Sequence, residues 1–349
     1  MPIQRYGILR GKALAGKLQG PPGKKPHYQI HILADGVHYR IAVNVVSDQS
    51  PSELLFLLDP GFQHPVVEKI RAVSEGFTPI PSAPGGLALD FQRSTLFSPA
   101  DMKALPHDVP GLDNDLNEIF EIYVRRAIER NADVYALGAR WGPEANKPDQ
   151  YFGFEPGNGI HDIHMNQGSP PPHKGDNGIW QDGALFIHFP LEDEWLAFFL
   201  AFQSQHARTD NSTGHPVPGS PKFGPTSTVV GGGGGGGAQL PAAGLSIVAA
   251  LVNPAGHDAG LETVTLLNAR PDPVSLSGWQ LEDGAGHRST LNGDVLAPGD
   301  TIRVPLDGLS VQLSNQGGTL SLLDPAGLKV HGVAYTKQQA AGQGWTVVF

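Results

Sequence analysis

The densest group of chemically active side chains lies in one short, glycine-flanked segment, residues 157–168. Two histidines, an aspartate, two asparagines and a glutamine fall within its twelve residues. Polar side chains this dense are costly to bury unless each has a partner, and glycines let the backbone turn where other residues cannot. The segment therefore predicts a binding or catalytic site.

One chemistry that these side chains could perform is metal binding. Imidazole nitrogens and carboxylate oxygens bind divalent metal ions. The predicted ligands are His161, His164, Asp182 and His188. Their spacing matches no established zinc motif, so the pattern leaves two options open, a divalent metal ion or no cofactor.

The other chemistry needs no metal. Two histidines from distant segments can act as general acid and base on a phosphodiester, while an arginine holds two phosphate oxygens. The predicted catalytic residues are His31, Arg40, His161, Asp162 and His164, and the predicted substrate-binding residues are His27, Asn44, Asn166 and Gln167. The chain lacks the paired histidine-x-threonine or histidine-x-serine repeats of two-histidine phosphoesterases, which counts against membership of that group.

These side chains also have structural explanations. A histidine on a strand, such as His27 or His38, is more often exposed or satisfied by its neighbours than catalytic. Asn158, Asn166 and Gln167 could equally hydrogen-bond the backbone of their own loop. The glycine-rich setting favours function for the two histidines of residues 157–168.

A β-hairpin is predicted to position the basic residues. Residues 27–33 and 37–45 alternate between apolar and polar side chains, and Asp35-Gly36 between them is a strong turn signal. The pairs on the polar side of this hairpin are His27 with Asn44 and His31 with Arg40. The opposite side is wholly apolar and is predicted to face inward.

Two helices are predicted in the same part of the chain. The first begins at Asp115, with Glu118 completing a capping box before an apolar stripe at helical spacing. The second covers residues 192–205, an aromatic run that predicts a largely buried helix. With short strands predicted at 132–137 and 184–189, the irregular order of strands and helices is typical of an α+β domain.

Length and composition limit the class of protein. The 349 residues exceed what one core normally organises, so two domains are expected. The absence of cysteine excludes disulfides, thiolate nucleophiles and cysteine zinc sites. No apolar run is long enough to cross a bilayer, and the first residues lack a secretory signal, so a cytoplasmic protein is expected.

Charge is distributed unevenly. The net charge is −10, yet residues 1–26 contain six bases and no acid. Residues 27–206 contain 24 acids and 11 bases, a local charge of −13. The basic segment predicts contact either with phosphate or with the acidic body of the same chain.

The composition changes sharply in one place. Residues 209–238 consist mainly of glycine, proline, serine and threonine and include seven consecutive glycines. Such a segment is typical of a flexible tether. The prediction is an N-terminal domain at 1–208, a tether at 209–239 and a C-terminal domain at 240–349.

The C-terminal domain has short alternating runs separated by turn signals, the pattern of a β-sandwich. Residues 253–264, 274–283 and 313–327 carry a specific resemblance, above all Val-Ser-Leu-Ser-Gly-Trp-Gln-Leu-Glu-Asp in the second stretch. The domain resembles lamin-tail domains, which implies an immunoglobulin-like sandwich with Trp279 in its core. That family is mostly non-catalytic, and in bacteria it is often joined to nucleases or phosphoesterases. The resemblance thus implies a protein partner here, or phosphodiester chemistry in the neighbouring domain.

The N-terminal domain carries a second resemblance. The matching segments are 27–47, 85–91, 106–108, 157–168, 180–183, 188–190 and 202–205. They resemble the YukJ-like bacterial proteins. This resemblance implies family membership and transfers no mechanism.

Two functions are predicted. The first is a hydrolase of phosphodiester bonds, a nuclease or phosphoesterase, that acts on a nucleic acid or nucleotide through the histidine-rich site. The alternative is a non-catalytic scaffold whose two domains bind separate partners across the tether. A single cleft that joins the histidines of residues 157–168 to His31 and Arg40 would favour the hydrolase.

Overall fold

The computed structural model describes residues 6–18, 27–45, 54–80, 87, 96–97, 102–104, 115–162, 183–202, 244–256, 260–327 and 329–349. Within these ranges the N-terminal part buries two hydrophobic clusters and the C-terminal part buries one. The predicted tether and the domain boundaries beside it lie outside the described residues.

The N-terminal domain consists mainly of strands. Its elements are β1 (Tyr6–Leu18), β2 (His27–Ala34), β3 (Val37–Asn44), β4 (Leu54–Pro60), α1 (Val66–Arg71), β5 (Gly76–Pro79), β6 (Lys103–Ala104), α2 (Asp115–Glu129), β7 (Asp133–Glu144), β8 (Gly157–His161), β9 (Gly183–Phe189) and β10 (Glu194–Phe202).

These strands form one sheet that closes on itself. Its order is β5-β1-β2-β3-β8-β7-β9-β10-β4-β6, and β1 also pairs with β7. Strands β1, β2, β3, β8 and β7 therefore make a small barrel, from which the remaining strands extend. All its pairings are antiparallel except that of β3 with β8. The α+β prediction was too helical for this domain, because one of its two expected helices is a strand.

That strand is β10, inside the predicted helix at 192–205. Its side chains alternate between two cores: Leu196, Phe198 and Leu200 pack with α2, whereas Trp195, Ala197 and Phe199 pack with α1. A strand that is buried on both faces needs apolar residues at every position. A continuous apolar run is therefore compatible with either a buried strand or a buried helix, and the prediction of a helix at 192–205 was wrong.

The hairpin prediction was confirmed in register. His27 pairs with Asn44 and His31 with Arg40 across β2 and β3. Asp35 and Gly36 have φ angles of 47° and 74°, as the predicted two-residue turn requires. The apolar side faces the interior of the closed sheet, where Tyr28, Ile30, Ile32, Ile41 and Val43 are buried.

The first predicted helix is α2. Leu116, Phe120, Val124 and Ala127 of its stripe are buried against the inner side of the sheet, while Ile128 at the end of the stripe is exposed. The hydroxyl of Tyr28 on β2 donates a hydrogen bond to the Glu121 carboxylate. The predicted cap cannot be placed, because the side chain of Asp115 lies outside the described residues.

Part of the basic N-terminal segment is strand β1. The Arg10 and Lys12 side chains lie 3.7 Å and 2.9 Å from the carboxylate of Asp133 on β7. The Lys12 ammonium also donates to the carbonyl of Asn131, over 2.8 Å. At these positions the basic segment contacts the acidic body of its own domain, one of the two predicted alternatives.

The C-terminal domain is all-β apart from one short helix. Its elements are β11 (Leu245–Leu251), β12 (Thr263–Asn268), β13 (Val274–Ser275), β14 (Gln280–Asp283), β15 (Arg288–Thr290), β16 (Val295–Leu296), β17 (Thr301–Pro305), β18 (Gly317–Leu323), β19 (Lys329–Thr336), α3 (Lys337–Ala340) and β20 (Val347–Val348). Two four-stranded sheets, β17-β12-β11-β20 and β15-β14-β18-β19, contribute to a single core. Trp279 lies in that core, as predicted.

Within the described ranges, no helix combines the length and apolar character that crossing a bilayer requires.

Candidate functional site

The polar side of the hairpin continues onto two further strands. Arg40 pairs with Gly159 and Ala42 with His161 where β3 meets β8, and His161 pairs in turn with Ala139 of β7. Because directly paired residues share a face of a sheet, these side chains all belong to the outer face of the closed sheet. We call it the polar face.

Two predicted site residues meet at the end of this face. The imidazole rings of His27 and His161 are 5.7 Å apart between centroids and nearly perpendicular, at 69°. Both side chains are half-buried. The indole of Trp141 also contacts the His161 ring, at 4.9 Å between centroids. His27 at the start of β2 and His161 at the end of β8 are thus one pair, 134 residues apart in sequence.

Asp162 connects the strand ends beneath this pair. Its buried carboxylate accepts hydrogen bonds from the backbone N–H of Asn44, at 3.2 and 3.3 Å, and from the Asn44 side-chain amide at 3.1 Å. Its own N–H donates to the carbonyl of Ala42. These bonds fix the backbone that carries His161. Asp162 and Asn44, both predicted site residues, are therefore bonded to each other.

Two glycines let neighbouring strands approach this backbone closely. A Cβ atom at Gly138 would lie 1.8 Å from the carbonyl oxygen of His161, and one at Gly183 would lie 2.3 Å from that of Asp162. No side chain fits at such distances. Both positions must therefore be glycine for residues 161 and 162 to lie where they do.

Arg40 lies near this pair and already has several partners. Its Nε donates to Asp149 Oδ2 over 2.6 Å, and Nη1 donates to Gln29 Oε1 over 2.6 Å. The rings of Trp141 and Tyr151 lie 4.6 and 4.7 Å from the guanidinium carbon. A phosphate that bound Arg40 would have to compete with these contacts, which hold the guanidinium against the β7–β8 loop.

His31 is also covered. Its Nε2 lies 2.9 Å from Nδ1 of His38, and the Phe152 and Phe154 rings stack on it at 4.8 and 5.2 Å. Burial, followed by the nearby His38, lowers the pKa of His31, whereas the Asp149 carboxylate acts in the opposite direction. The lowered pKa favours the neutral form of this imidazole.

The covering segment is the β7–β8 loop, residues 145–156, which sequence reasoning missed. Asp149 organises it by accepting hydrogen bonds from the N–H groups of Tyr151 and Phe152, both at 3.0 Å, as well as from Arg40. A signal was present in the sequence, since three aromatic residues within four positions follow an aspartate between turn residues. The sequence did not show that these aromatic residues pack on the polar face.

Lys17 is a further residue that the predicted site omitted. It pairs with Gln29 across β1 and β2, which places it on the polar face diagonally from His27, at about 7–8 Å between backbones. Its side chain is exposed. It supplies an accessible positive charge where Arg40 does not.

His188 is separated from the histidine pair. It pairs with Asp133 at the start of β7, whereas His161 pairs with Ala139 six residues further on, which is about 20 Å along a strand. Its Nε2 bonds to Asp193 over 3.1 Å, and its ring stacks on Trp195 at 4.4 Å. The structure therefore does not join His188 to His161 in one metal site.

The other predicted site residues, His164, Asn166, Gln167 and Asp182, lie outside the described residues. Among the residues that are described, no group of three or more histidine, aspartate or glutamate side chains is arranged to hold a metal ion.

Comparison with known proteins identifies the N-terminal domain. The family described as "Uncharacterized conserved protein (DUF2278)" matches residues 1–214. The chain belongs to this family. A curated relative, "Uncharacterized protein YukJ" of Bacillus subtilis (strain 168), is 42% identical over 220 residues, which cover 62% of this chain and 96% of the relative. The Lamin Tail Domain family matches residues 239–337, and no solved structure matches the chain. Both sequence resemblances are thereby confirmed.

Proposed function

We propose that the N-terminal domain is a phosphodiester hydrolase in which His27 and His161 form the acid–base pair. The observation that carries this proposal is the contact of the two imidazoles on the polar face, with ring centroids 5.7 Å apart. One phosphate group can contact both rings at that separation, because each nitrogen needs only about 3 Å to an oxygen.

The two imidazoles would divide the proton transfers. The neutral one takes a proton from the attacking hydroxyl or water, and the protonated one gives a proton to the leaving oxygen. Histidine suits both roles because its charge changes between about pH 5 and 8. Asp162 supports the pair by bonding Asn44, which keeps the end of β3 beside the end of β8.

Phosphate binding is assigned to Lys17 instead of Arg40. Lys17 is exposed on the same face, whereas Arg40 is bound to Asp149 and Gln29. A lysine attracts phosphate as a point charge and needs no fixed geometry. The substrate class is a nucleic acid or a nucleotide, and the frequent union of lamin-tail domains with nucleases in bacteria supports this choice by analogy.

The test uses the full-length chain with single-stranded nucleic acid, double-stranded nucleic acid and a chromogenic phosphodiester, each with and without chelator. His27→Asn and His161→Asn should each lower the rate by about 10²–10⁴-fold, the usual effect of losing a general acid or base. His287→Asn is the matched control, since that imidazole lies in the C-terminal domain with 65% of its side chain exposed.

Activity that survives in the His27→Asn/His161→Asn double variant would remove the pair from catalysis. Activity lost only with chelator would favour the metal-assisted form, with His161, His164 and Asp182 as ligands. Absence of cleavage under all these conditions would refute the hydrolase.

A non-catalytic scaffold is the second candidate, and one observation favours it. Arg40 and His31, two predicted catalytic residues, contact the β7–β8 loop and already bond to their neighbours. A scaffold would bind one partner with each domain. Affinity capture with the whole chain and with a Trp345→Ala variant, which alters an indole that is 76% exposed, would support it if a partner bound only the unaltered C-terminal domain.

A further inference from the structure

A second polar cluster lies on the same sheet, away from the histidine pair. Its six residues are Arg10, Arg71, Tyr135, His188, Asp193 and Trp195. Tyr135 pairs with Arg10 of β1, and Trp195 pairs with His188 of β9. His188 is opposite Asp133, about 20 Å along β7 from the partner of His161.

The cluster is compact around two aromatic rings. The Tyr135 and Trp195 rings are 5.5 Å apart. The Arg10 guanidinium lies 5.5 Å from the Tyr135 ring, and that of Arg71 lies 5.7 Å from the Trp195 ring. His188 stacks on Trp195 at 4.4 Å. Two guanidiniums and an imidazole therefore flank one aromatic pair.

Three buried donors in this cluster make no hydrogen bond to any residue that the structure describes. They are Arg10 Nε, Tyr135 Oη and Trp195 Nε1. The Tyr135 and Trp195 side chains are 0% and 4% exposed, so solvent does not satisfy them. Burial, reinforced by the Asp133 carboxylate, raises the pKa of Tyr135 to about 12, so its hydroxyl keeps its proton. A buried donor without a partner is costly.

A carboxylate already lies at the outer edge of the cluster. Asp193 Oδ1 accepts from Arg71 Nη2 over 2.8 Å and contacts His188 Nε2 at 3.1 Å. The Asp193 and Arg71 side chains are 71% and 41% exposed, so this pair is accessible from solvent. An imidazole and a guanidinium that share one carboxylate oxygen are arranged as they would be for an oxygen of a bound anion.

We propose that this cluster binds a small oxyanion, such as inorganic phosphate, sulfate or the carboxylate of a small acid, with Asp193 as the built-in occupant that the ligand displaces. The position that Asp193 vacates offers hydrogen bonds from Arg71 and His188. The other donors of the cluster are Arg10, Tyr135 and Trp195. Every unsatisfied group is a donor, so the ligand must supply acceptors. This site is separate from the proposed catalytic pair and does not depend on it.

The test measures binding of phosphate, sulfate and acetate to the full chain by calorimetry, with chloride at matched ionic strength as the reference. Asp193→Asn should bind the ligand more tightly, by several-fold, because the competing carboxylate is gone. Tyr135→Phe and Trp195→Phe should weaken binding by about tenfold each, the usual effect of one hydrogen bond to a charged group. Tyr123→Phe, in the opposite core, is the matched control.

The direction in which each variant changes the affinity separates the possible outcomes. Preference among the three ligands identifies the anion class. A Tyr135→Phe protein that gains thermal stability but binds phosphate unchanged would mean that the donors serve no ligand. Equal binding by wild type and Asp193→Asn, or no binding to the wild type up to about 10 mM, would also overturn the proposal.

Discussion

The two ends of the polar face use the same residue types differently. Near the turn of the hairpin, the half-buried His31 and the buried Arg40 contact the β7–β8 loop, and their polar groups bond to His38, Asp149 and Gln29. At the open end, His27 and His161 contact each other and remain half-buried.

The difference teaches that the type of a residue on a strand does not tell whether its side chain has a structural or a chemical role. The segments that contact the strand decide which role is open to it. A buried arginine must be paired, and a ligand then has to compete with the groups that pair and stack with it. A histidine at a strand end keeps part of its surface accessible and can still exchange protons with a substrate.

The largest effect on this comparison should come from Arg40→Ala. The change leaves the Asp149 carboxylate buried without its cation and removes one of the contacts between the β7–β8 loop and the sheet. Loss of one partner from a buried pair typically costs about 3–5 kcal/mol. Urea denaturation followed by tryptophan fluorescence would measure it, because Trp141 lies against Arg40.

The contrasting variant is His27→Asn at the open end, which should change the unfolding free energy by less than about 1 kcal/mol. An equal loss of stability in Arg40→Ala and His27→Asn would contradict the proposed difference between the two ends of the polar face. A smaller combined loss in Arg40→Ala/Asp149→Ala than the sum of the single losses would confirm the pair.

A smaller loss of stability is expected when the pH is lowered. The pKa of His31 is lowered in the folded protein, so the unfolded chain binds a proton at higher pH, near the ordinary value of about 6.5. The stability that the neutral ring contributes is therefore present above pH 6.5 and is lost as the pH falls through the lower, folded pKa. The loss is set by the difference between the folded and unfolded pKa values, at about 1.4 kcal/mol for each pKa unit.

Hydrogen exchange of the amides in residues 145–156, corrected for the intrinsic pH dependence, isolates this effect from the C-terminal domain. That domain has its own acid-sensitive group, since burial lowers the pKa of His331 to about 4. Protection of the loop should decrease on acidification in the wild type and remain constant in His31→Gln. The same decrease in both proteins would exclude His31 as its cause.

The smallest effect on stability should come from Lys17→Gln at the open end. The side chain is exposed, so the free energy of unfolding should change by less than about 0.5 kcal/mol. Nucleic-acid binding should nevertheless weaken, and the slope of log K against log salt should fall by about one. An unchanged slope would remove Lys17 from the phosphate contact.

Several particular features could be predicted from the sequence. Alternation on both sides of Asp35-Gly36 determined the pairing of β2 with β3, because a turn of known length leaves one register in which the apolar sides agree. The helical stripe from Leu116 to Ala127 was equally clear. The strand β10 was not, because a run that is apolar at every position has no period to read.

The sequence by itself determined which side chains are polar, which side of the hairpin they share, and to which two families the domains are similar. Only the tertiary structure decided which of those polar groups remain accessible. The parallel pairing of β3 with β8 brings His161 to His27, and the β7–β8 loop closes over Arg40. Both are long-range contacts. The local sequence pattern of a segment does not predict which distant segment will pack on it.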